Sequence, residues 1–271
     1  MTSGWLTSGL ASKRICSVTG FSLARAAVQP AWRVTQEAHV VRDGINGARV
    51  VDVVGPLAPG AADNRGRYDT IGRTVYFGDS VKVSLAESLQ SLRDQVLATQ
   101  KDADAIGEDL DTYRDRITRD FHARGLPGPG EIPVEWQWER SIYEVALPAH
   151  GWWVEIDAPQ TMNALSSAMN GQAGQLTLGH VCGDDRRLTT RLAQLVRDST
   201  LDDGTLPLGI GFPSKTAYGR CWAWWNRRAD DGLPPGSNEP EQTGSTNVHV
   251  APLDELVTDW HLRLIGGAVA P

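Results

Sequence analysis

The sequence predicts a mixed α+β fold, and three observations support this prediction. Short β-prone runs bounded by Gly or Pro recur along the 271 residues. Apolar residues recur at spacings of three and four in several longer stretches, as they do on one face of a helix. The two kinds of element do not follow the strict βαβ alternation of a Rossmann sheet. Length alone leaves open one large domain or a domain with insertions.

The predicted strands are runs rich in Val, Ile, Thr and aromatic residues. One run, 31–35, would present Arg33, and another, 74–77, ends just before a helix start. The other predicted strands lie within residues 50–54, 136–147, 151–156, 220–225 and 248–264, and the last of these stretches leaves room for a terminal helix.

The predicted helices follow from apolar stripes. The stripe 85–96 has spacings of 4, 3 and 4, and Asp79 or Ser80 can cap the helix that carries it. A second stripe, 106–121, lies on a densely charged segment that ends at glycine and proline. Two shorter helices are predicted over residues 160–169 and 188–196.

Composition excludes several classes of protein. The apolar fraction is 41% and the charged fraction 22%, which is enough for a sizeable core. The net charge of −7 argues against a general binder of nucleic acid or anionic membranes, although it leaves room for a local basic pocket. No apolar run reaches the roughly 18 residues of a membrane span. The three cysteines lack the spacing of a zinc site, so we expect reduced thiols, no metal and a cytoplasmic location.

Common catalytic motifs are absent from the sequence. It contains no phosphate-binding P-loop, no GxGxxG after a strand, no GxSxG and no HExxH. What stands out is the stretch 65–87, which holds Arg65, Arg67, Tyr68, Tyr76 and Glu87 on a turn, a strand and a helix start. Guanidinium groups, a flat ring and a carboxylate suit a ligand with phosphates, a ring and a developing positive charge.

Each of these residues also has an ordinary structural interpretation. An isolated Glu87 in the first turns of a helix is typically a solvated acid. Arg67 could be a turn residue paired with Asp63 or Asp69, and Tyr76 could belong to the core. Ser214, which follows a proline late in the chain, could make a simple turn.

Four segments, taken in order, resemble the RES-domain proteins, the toxins of a bacterial toxin–antitoxin class. They are AWRV around Arg33, GRYDTIG around Arg67, VYF followed by SLAE at Glu87, and GIGFPSKTAYGRCWAWW around Ser214. The matched segments are roughly 31–93 and 187–225. The turn has Tyr68 where the family commonly has Trp or Phe, and it is one residue short.

The resemblance implies a fold like that of the ADP-ribosyltransferases, with a split, mostly antiparallel β core that clamps NAD. It implies a single domain over 31–271 with an inserted segment at about 94–186. Composition predicts an N-terminal extension over 1–30 and a Pro/Gly-rich loop at about 230–245. The resemblance also implies a helix-turn-helix antitoxin protein as partner. The net charge of −7 predicts no direct contact with nucleic acid or membrane. An oligomer stays open.

The resemblance implies roles for individual residues in the cleavage of NAD. Glu87, Arg67, Tyr76 and Ser214 are the expected catalytic residues. The residues expected to bind NAD are Arg33, Arg65, Arg67, Tyr68, Tyr76 and Ser214. Glu87 would stabilise an oxocarbenium-like state, the arginines would hold the pyrophosphate, and Tyr76 would stack on nicotinamide.

Three hypotheses follow from the sequence. The first is a toxin-like enzyme that degrades NAD by hydrolysis or phosphorolysis. The second is a protein ADP-ribosyltransferase, in which a target side chain replaces water or phosphate. The third is a catalytically silent module that binds NAD or a partner.

Overall fold

The computed structural model describes residues 12–36, 49–51, 66–169 and 174–266. Within these ranges the chain forms twelve strands and eight helices. The strands are β1 Lys13–Ile15, β2 Ser22–Arg25, β3 Pro30–Gln36, β4 Arg49–Val51, β5 Gly72–Gly78, β6 Glu131–Ile132, β7 Arg140–Ala146, β8 Trp152–Glu155, β9 Gly209–Pro213, β10 Arg220–Trp225, β11 Glu241–Asn247 and β12 Arg263–Leu264. The helices are α1 Val81–Ile106, α2 Leu110–His122, α3 Val134–Trp138, α4 Pro159–Ala168, α5 Leu178–Val181, α6 Arg186–Arg197, α7 Arg227–Asp230 and α8 Ala251–Asp259.

Ten strands form one sheet in the order β1-β2-β8-β9-β10-β5-β3-β7-β11, with β4 paired to β5. Within it, the neighbours β8 and β9 are parallel, and the segment carrying α4, α5 and α6 makes the crossover that a parallel pair needs. The other pairs of this sheet are antiparallel. The predicted α+β class with a mostly antiparallel β core and surrounding helices is therefore confirmed.

The sheet consists of two halves that meet at one residue pair. Strands β3 and β5 are matched only at Trp32 and Gly78, whereas each pairs over several residues with its other neighbours. The first turns of α1 lie at this junction, where the Ser84 hydroxyl donates to the Trp32 carbonyl over 2.7 Å. A backbone acceptor of β3 near the junction is thus satisfied by the helix.

Three apolar clusters form the core. The first lies between strands β2, β8, β9 and β10 and the crossover helices α4 and α6. The second packs α1 and α8 against β3 and β7. The third consists mainly of strand residues from both halves, among them Phe77, Val145 and Trp224, so one face of the sheet carries a buried apolar cluster across the junction.

Helix α1 follows directly from local signals in the sequence. Ser80 is its N-cap, with its hydroxyl accepting from the Val83 backbone N–H, and Gly107 ends it with a φ of 69°. The apolar stripe is buried as predicted, with Leu85 and Leu89 fully inaccessible. The helix therefore presents a fixed face to the core and places its second turn beside the junction of the two half-sheets.

Several boundaries differ from the sequence-based expectations. Residues 1–30 are predicted to be an extension, yet β1 and β2 belong to the large sheet, and Leu23 is fully buried. The segment 94–186, predicted to be an insertion, contains the sheet strands β7 and β8. The Pro/Gly-rich loop predicted over 230–245 ends sooner, because Glu241–Asn247 pairs with β7 as an edge strand. Its polar sequence suits an exposed edge and lacks the alternation that predicts a strand.

None of the helices in the described ranges combines the length and the apolar character that crossing a membrane requires.

Candidate active site

Glu87 lies on the second turn of α1, with three hydrogen-bond donors around its carboxylate. Its Oε1 accepts from Ser214 Oγ over 2.6 Å and from the Lys215 backbone N–H over 3.0 Å. Its Oε2 accepts from Arg67 Nη2 over 3.3 Å. The side chain is 30% exposed, so the carboxylate is held from the protein side and is open to solvent on the other.

Arg67 is the buried partner of this carboxylate. Its side chain is only 5% exposed, and its Nη1 donates to the Cys182 carbonyl over 3.3 Å. The guanidinium carbon lies 5.0 Å from the ring centroid of Phe212, a cation–π distance. The arginine thus touches Glu87, whereas the sequence-based expectation has it on a pyrophosphate.

Tyr76 holds the turn that carries Arg67. Its hydroxyl donates to Asp69 Oδ1 over 2.8 Å and accepts from the Tyr68 backbone N–H over 2.9 Å. The other oxygen of Asp69 accepts from the Gly66 backbone N–H over 2.7 Å. Burial, reinforced by the negative charge of Asp69, raises the pKa of Tyr76. The hydroxyl therefore stays protonated at neutral pH and keeps donating to Asp69.

Ser214 comes from the end of β9 and is itself held by its loop. Its hydroxyl lies 2.6 Å from Thr216 Oγ1 and accepts from the Thr216 backbone N–H over 3.1 Å. The loop closes tightly, with Ala217 at a φ of 62°, a conformation that non-glycine residues rarely adopt. Thr216 was not predicted as a site residue. Its signal, a second hydroxyl two positions after Ser214, is too common to single out from sequence.

Tyr68 and Arg33 do not join this cluster. Tyr68 is fully buried, and its hydroxyl donates to the Val181 carbonyl over 2.6 Å, so its ring offers no surface to a ligand. Trp32 pairs with Gly78 and thereby shares a sheet face with Tyr76. Arg33 is the next residue along β3, so its side chain lies on the opposite face. Arg65, also expected to bind NAD, lies outside the described residues.

A second group of charged side chains lies beside the site. Asp184 is on the loop before α6, Arg186 is the first residue of α6, and Lys215 follows Ser214 after β9. Asp184 Oδ1 accepts from Lys215 Nζ and, over 3.2 Å, from Arg186 Nη2. The hydrogen bond from Lys215 lowers the pKa of Asp184, and the charges of Arg186 and Arg67 lower it further. Sequence patterns did not indicate these residues as part of a site, because Asp184 and Lys215 are 31 positions apart and meet only in the fold.

Cys182 contributes to the site through its backbone. Burial raises the pKa of its thiol, against the opposing effects of Arg67, Arg220 and Lys215. The thiol is therefore a poor nucleophile at neutral pH, and the contact that matters is the one from Arg67 to its carbonyl. Within the described residues, no group of three or more His, Cys, Asp and Glu side chains is arranged to hold a metal ion.

Arg220 anchors the neighbouring end of the sheet. It donates to both oxygens of Asp157 over 3.1 Å and to Glu155 over 3.0 Å. Its backbone N–H donates to Asp79 over 2.8 Å, just ahead of the α1 cap. These contacts tie the start of β10 to the segment from which α1 begins.

Comparisons with known proteins identify no family for this chain. No protein-family model matches it, and no curated protein matches it. Among solved structures it is similar to a chain in the crystal structure of the M.tuberculosis MbcT-MbcA toxin-antitoxin complex, with 12% sequence identity and a TM-score of 0.41. The alignment covers 85% of this chain and 90% of that chain. A similarity at this level assigns neither a family nor an activity.

Proposed function

We propose that the protein is a toxin-like enzyme that consumes NAD by cleaving its nicotinamide–ribose bond. The observation that carries this proposal is the convergence of Arg67 and Ser214 on Glu87. Arg67 is 20 positions from Glu87 and Ser214 is 127 positions from it, yet both touch its carboxylate. The same three residues stand in the segments that resemble the RES-domain proteins, so motif and geometry support one another.

The chemistry of the bond gives Glu87 its proposed role. Loss of nicotinamide leaves positive charge on the ribose ring, as in glycoside cleavage. A fixed carboxylate beside that charge stabilises the transition state without having to reorient. The donors from Ser214, Lys215 and Arg67 hold both carboxylate oxygens in place, and the exposed side leaves access for a sugar.

Arg67 and Tyr76 support this carboxylate in different ways. Arg67 offsets the charge of Glu87 in a buried position and fixes its orientation. Tyr76 holds the turn at residues 66–70, and its half-buried ring packs edge-on against Phe212 with 6.3 Å between the ring centroids. Its proposed contact with nicotinamide is through the ring, since its hydroxyl is occupied by Asp69.

The resemblance to RES-domain proteins extends the proposal beyond the site. It implies growth arrest through NAD depletion in the cytoplasm, and neutralisation by an antitoxin protein with a helix-turn-helix domain. The acceptor of the ADP-ribosyl group is water or phosphate in this proposal, and a protein side chain in the alternative.

The decisive experiment follows nicotinamide release from NAD by chromatography and mass spectrometry, with and without phosphate. We expect release by the wild type and a loss of at least about a hundredfold in Glu87→Gln, which keeps the shape but removes the charge. Glu108→Gln is the matched control, because it changes the net charge by the same amount. Glu108 pairs with Arg116, away from the site.

The outcomes separate the three hypotheses. Dependence on phosphate distinguishes phosphorolysis from hydrolysis. Label from NAD that becomes bound to protein indicates an ADP-ribosyltransferase. A folded sample that releases no nicotinamide and labels no protein would reject catalysis and leave a binding module.

A further inference from the structure

We propose that Lys215 and Arg186 form a subsite for a phosphate group beside Glu87, and that Asp184 fills this subsite in the free protein as an internal competitor. The inference rests on the proposed function, because it takes NAD as the phosphate-bearing ligand. It assigns the phosphate contacts to residues that the sequence did not single out.

Two of the arginines expected to hold the phosphates, Arg67 and Arg33, are placed elsewhere by the fold, and Arg65 lies outside the described residues. The Arg67 guanidinium is buried and bonded to Glu87 and to the Cys182 carbonyl. Arg33 lies on the opposite face of the sheet from Tyr76. An acidic chain with a net charge of −7 still needs local cations to attract a dinucleotide. Lys215 and Arg186 are cations that meet at Asp184, and the backbone of Lys215 contacts Glu87.

Lys215 links this point directly to the carboxylate. Its backbone N–H donates to Glu87 Oε1 over 3.0 Å, while its ammonium group contacts Asp184. The Arg186 side chain is oriented toward the same carboxylate, since its Nη1 donates to the Gly183 carbonyl over 3.3 Å and its Nη2 donates to Asp184. A phosphate bound to these two groups would therefore lie close to a ribose held against Glu87.

Asp184 has the properties of a replaceable anion. Its side chain is 75% exposed, and a single oxygen, Oδ1, accepts from both cations. Exposed ion pairs contribute little to stability, so breaking the contacts of Asp184 with Lys215 and Arg186 should lower the free energy of unfolding only slightly. A phosphate offers more oxygens and more charge to the same donors, and guanidinium groups bind it in a bidentate manner. The lowered pKa of Asp184 agrees with a converging positive field at this point.

The test compares Asp184→Asn, Lys215→Met and Arg186→Met with the wild type. Removing the competing charge in Asp184→Asn should lower the KM for NAD about fivefold with little change in kcat. Lys215→Met should raise KM by a similar factor, because it keeps the backbone donor to Glu87 but loses the ammonium. Glu108→Gln, which removes a carboxylate from a different ion pair, should leave KM unchanged.

A binding measurement separates this inference from the proposed function. Calorimetric titration with pyrophosphate needs no turnover, and we expect tighter binding by Asp184→Asn and weaker binding by Lys215→Met and Arg186→Met. This result in a protein that does not cleave NAD would uphold the subsite while the proposed function fails. Glu87-dependent cleavage with unchanged KM and pyrophosphate affinity in all three variants would overturn the subsite and leave the function standing.

Discussion

At the scale of single residues, Arg67 shows how a side chain singled out from the sequence can make an unexpected contact. Its charge and its place in a turn indicated a phosphate ligand. The fold buries it against Glu87, where the cost of desolvating the guanidinium is offset by the carboxylate and the Cys182 carbonyl. The protein's own donors therefore hold the carboxylate of Glu87 in a fixed orientation.

Ser214 supplies a residue-scale prediction. Ser214→Ala removes one of the two donors to Glu87 Oε1 and leaves the Lys215 backbone N–H. We expect kcat for NAD cleavage to fall about tenfold, the effect of losing one hydrogen bond to a charged group. Steady-state kinetics should show no comparable loss in Ser199→Ala, whose hydroxyl donates to a carbonyl of α6. Equal rates in the two variants would exclude a role for Ser214 in positioning Glu87.

At the scale of elements, the turn before β5 is built around the hydroxyl of Tyr76. This hydroxyl and the Asp69 carboxylate bind backbone N–H groups of the turn. Gly66 is needed here for space, since a Cβ at this position would lie 2.5 Å from the Tyr76 hydroxyl and 2.8 Å from Asp69 Oδ1. The turn therefore sets the position from which Arg67 reaches Glu87.

Gly66→Ala tests this dependence. The added methyl group would push the turn away from Tyr76, and we expect a loss of about 1–3 kcal/mol in the free energy of unfolding, together with reduced activity. Gly244→Ala is the control, because its nearest neighbour would lie 3.6 Å away, an ordinary contact. Urea denaturation that finds the two variants equally stable would show that the turn has room to adjust.

At the scale of the whole molecule, the first described strands are part of the core. Leu23 on β2 is fully buried in the first cluster and pairs with Val154 on β8. Leu23→Ala should therefore cost about 2–5 kcal/mol in the free energy of unfolding. Leu206→Ala, at a position that is 46% exposed, should change the free energy of unfolding by no more than about 0.5 kcal/mol. Thermal and urea denaturation measure both values, and a negligible effect at Leu23 would mean that β2 is a dispensable extension.

Buried tyrosines make the stability of the whole protein depend on pH. Burial raises the pKa of both Tyr68 and Tyr76 above the value of an unfolded tyrosine. The unfolded state therefore loses these protons first, so the free energy of unfolding is at its full value below about pH 10 and falls as pH rises further. The expected slope is about 1.4 kcal/mol per pH unit for each tyrosine.

Urea denaturation between pH 8 and pH 11 measures this slope. Tyr68→Phe should make it shallower, while lowering stability at pH 8 through the lost hydrogen bond to Val181. A slope that Tyr68→Phe leaves unchanged would mean that Tyr68 ionises as easily in the folded protein as in the unfolded chain.

Local signals were sufficient for much of the fold. The sequence predicts the α1 cap at Asp79 or Ser80, its apolar stripe over 85–96 and the strand Arg220–Trp225, because caps, periodicity and β-prone aromatic runs act within a few residues. It assigns Ile106 to the second helix, whereas α1 continues to Ile106 and ends at Gly107. The polar edge strand Glu241–Asn247 was missed, since it is held by pairing with β7 and carries no apolar alternation.

The sequence by itself determined the α+β class, the main helix and the residues Arg67, Glu87 and Ser214 as candidates. Only the tertiary structure decided what these residues touch. Strand register places Arg33 on the far face of the sheet, and the meeting of two distant loops places Lys215 against Asp184. Register and loop contact depend on packing between residues far apart in the chain, and no local pattern encodes them.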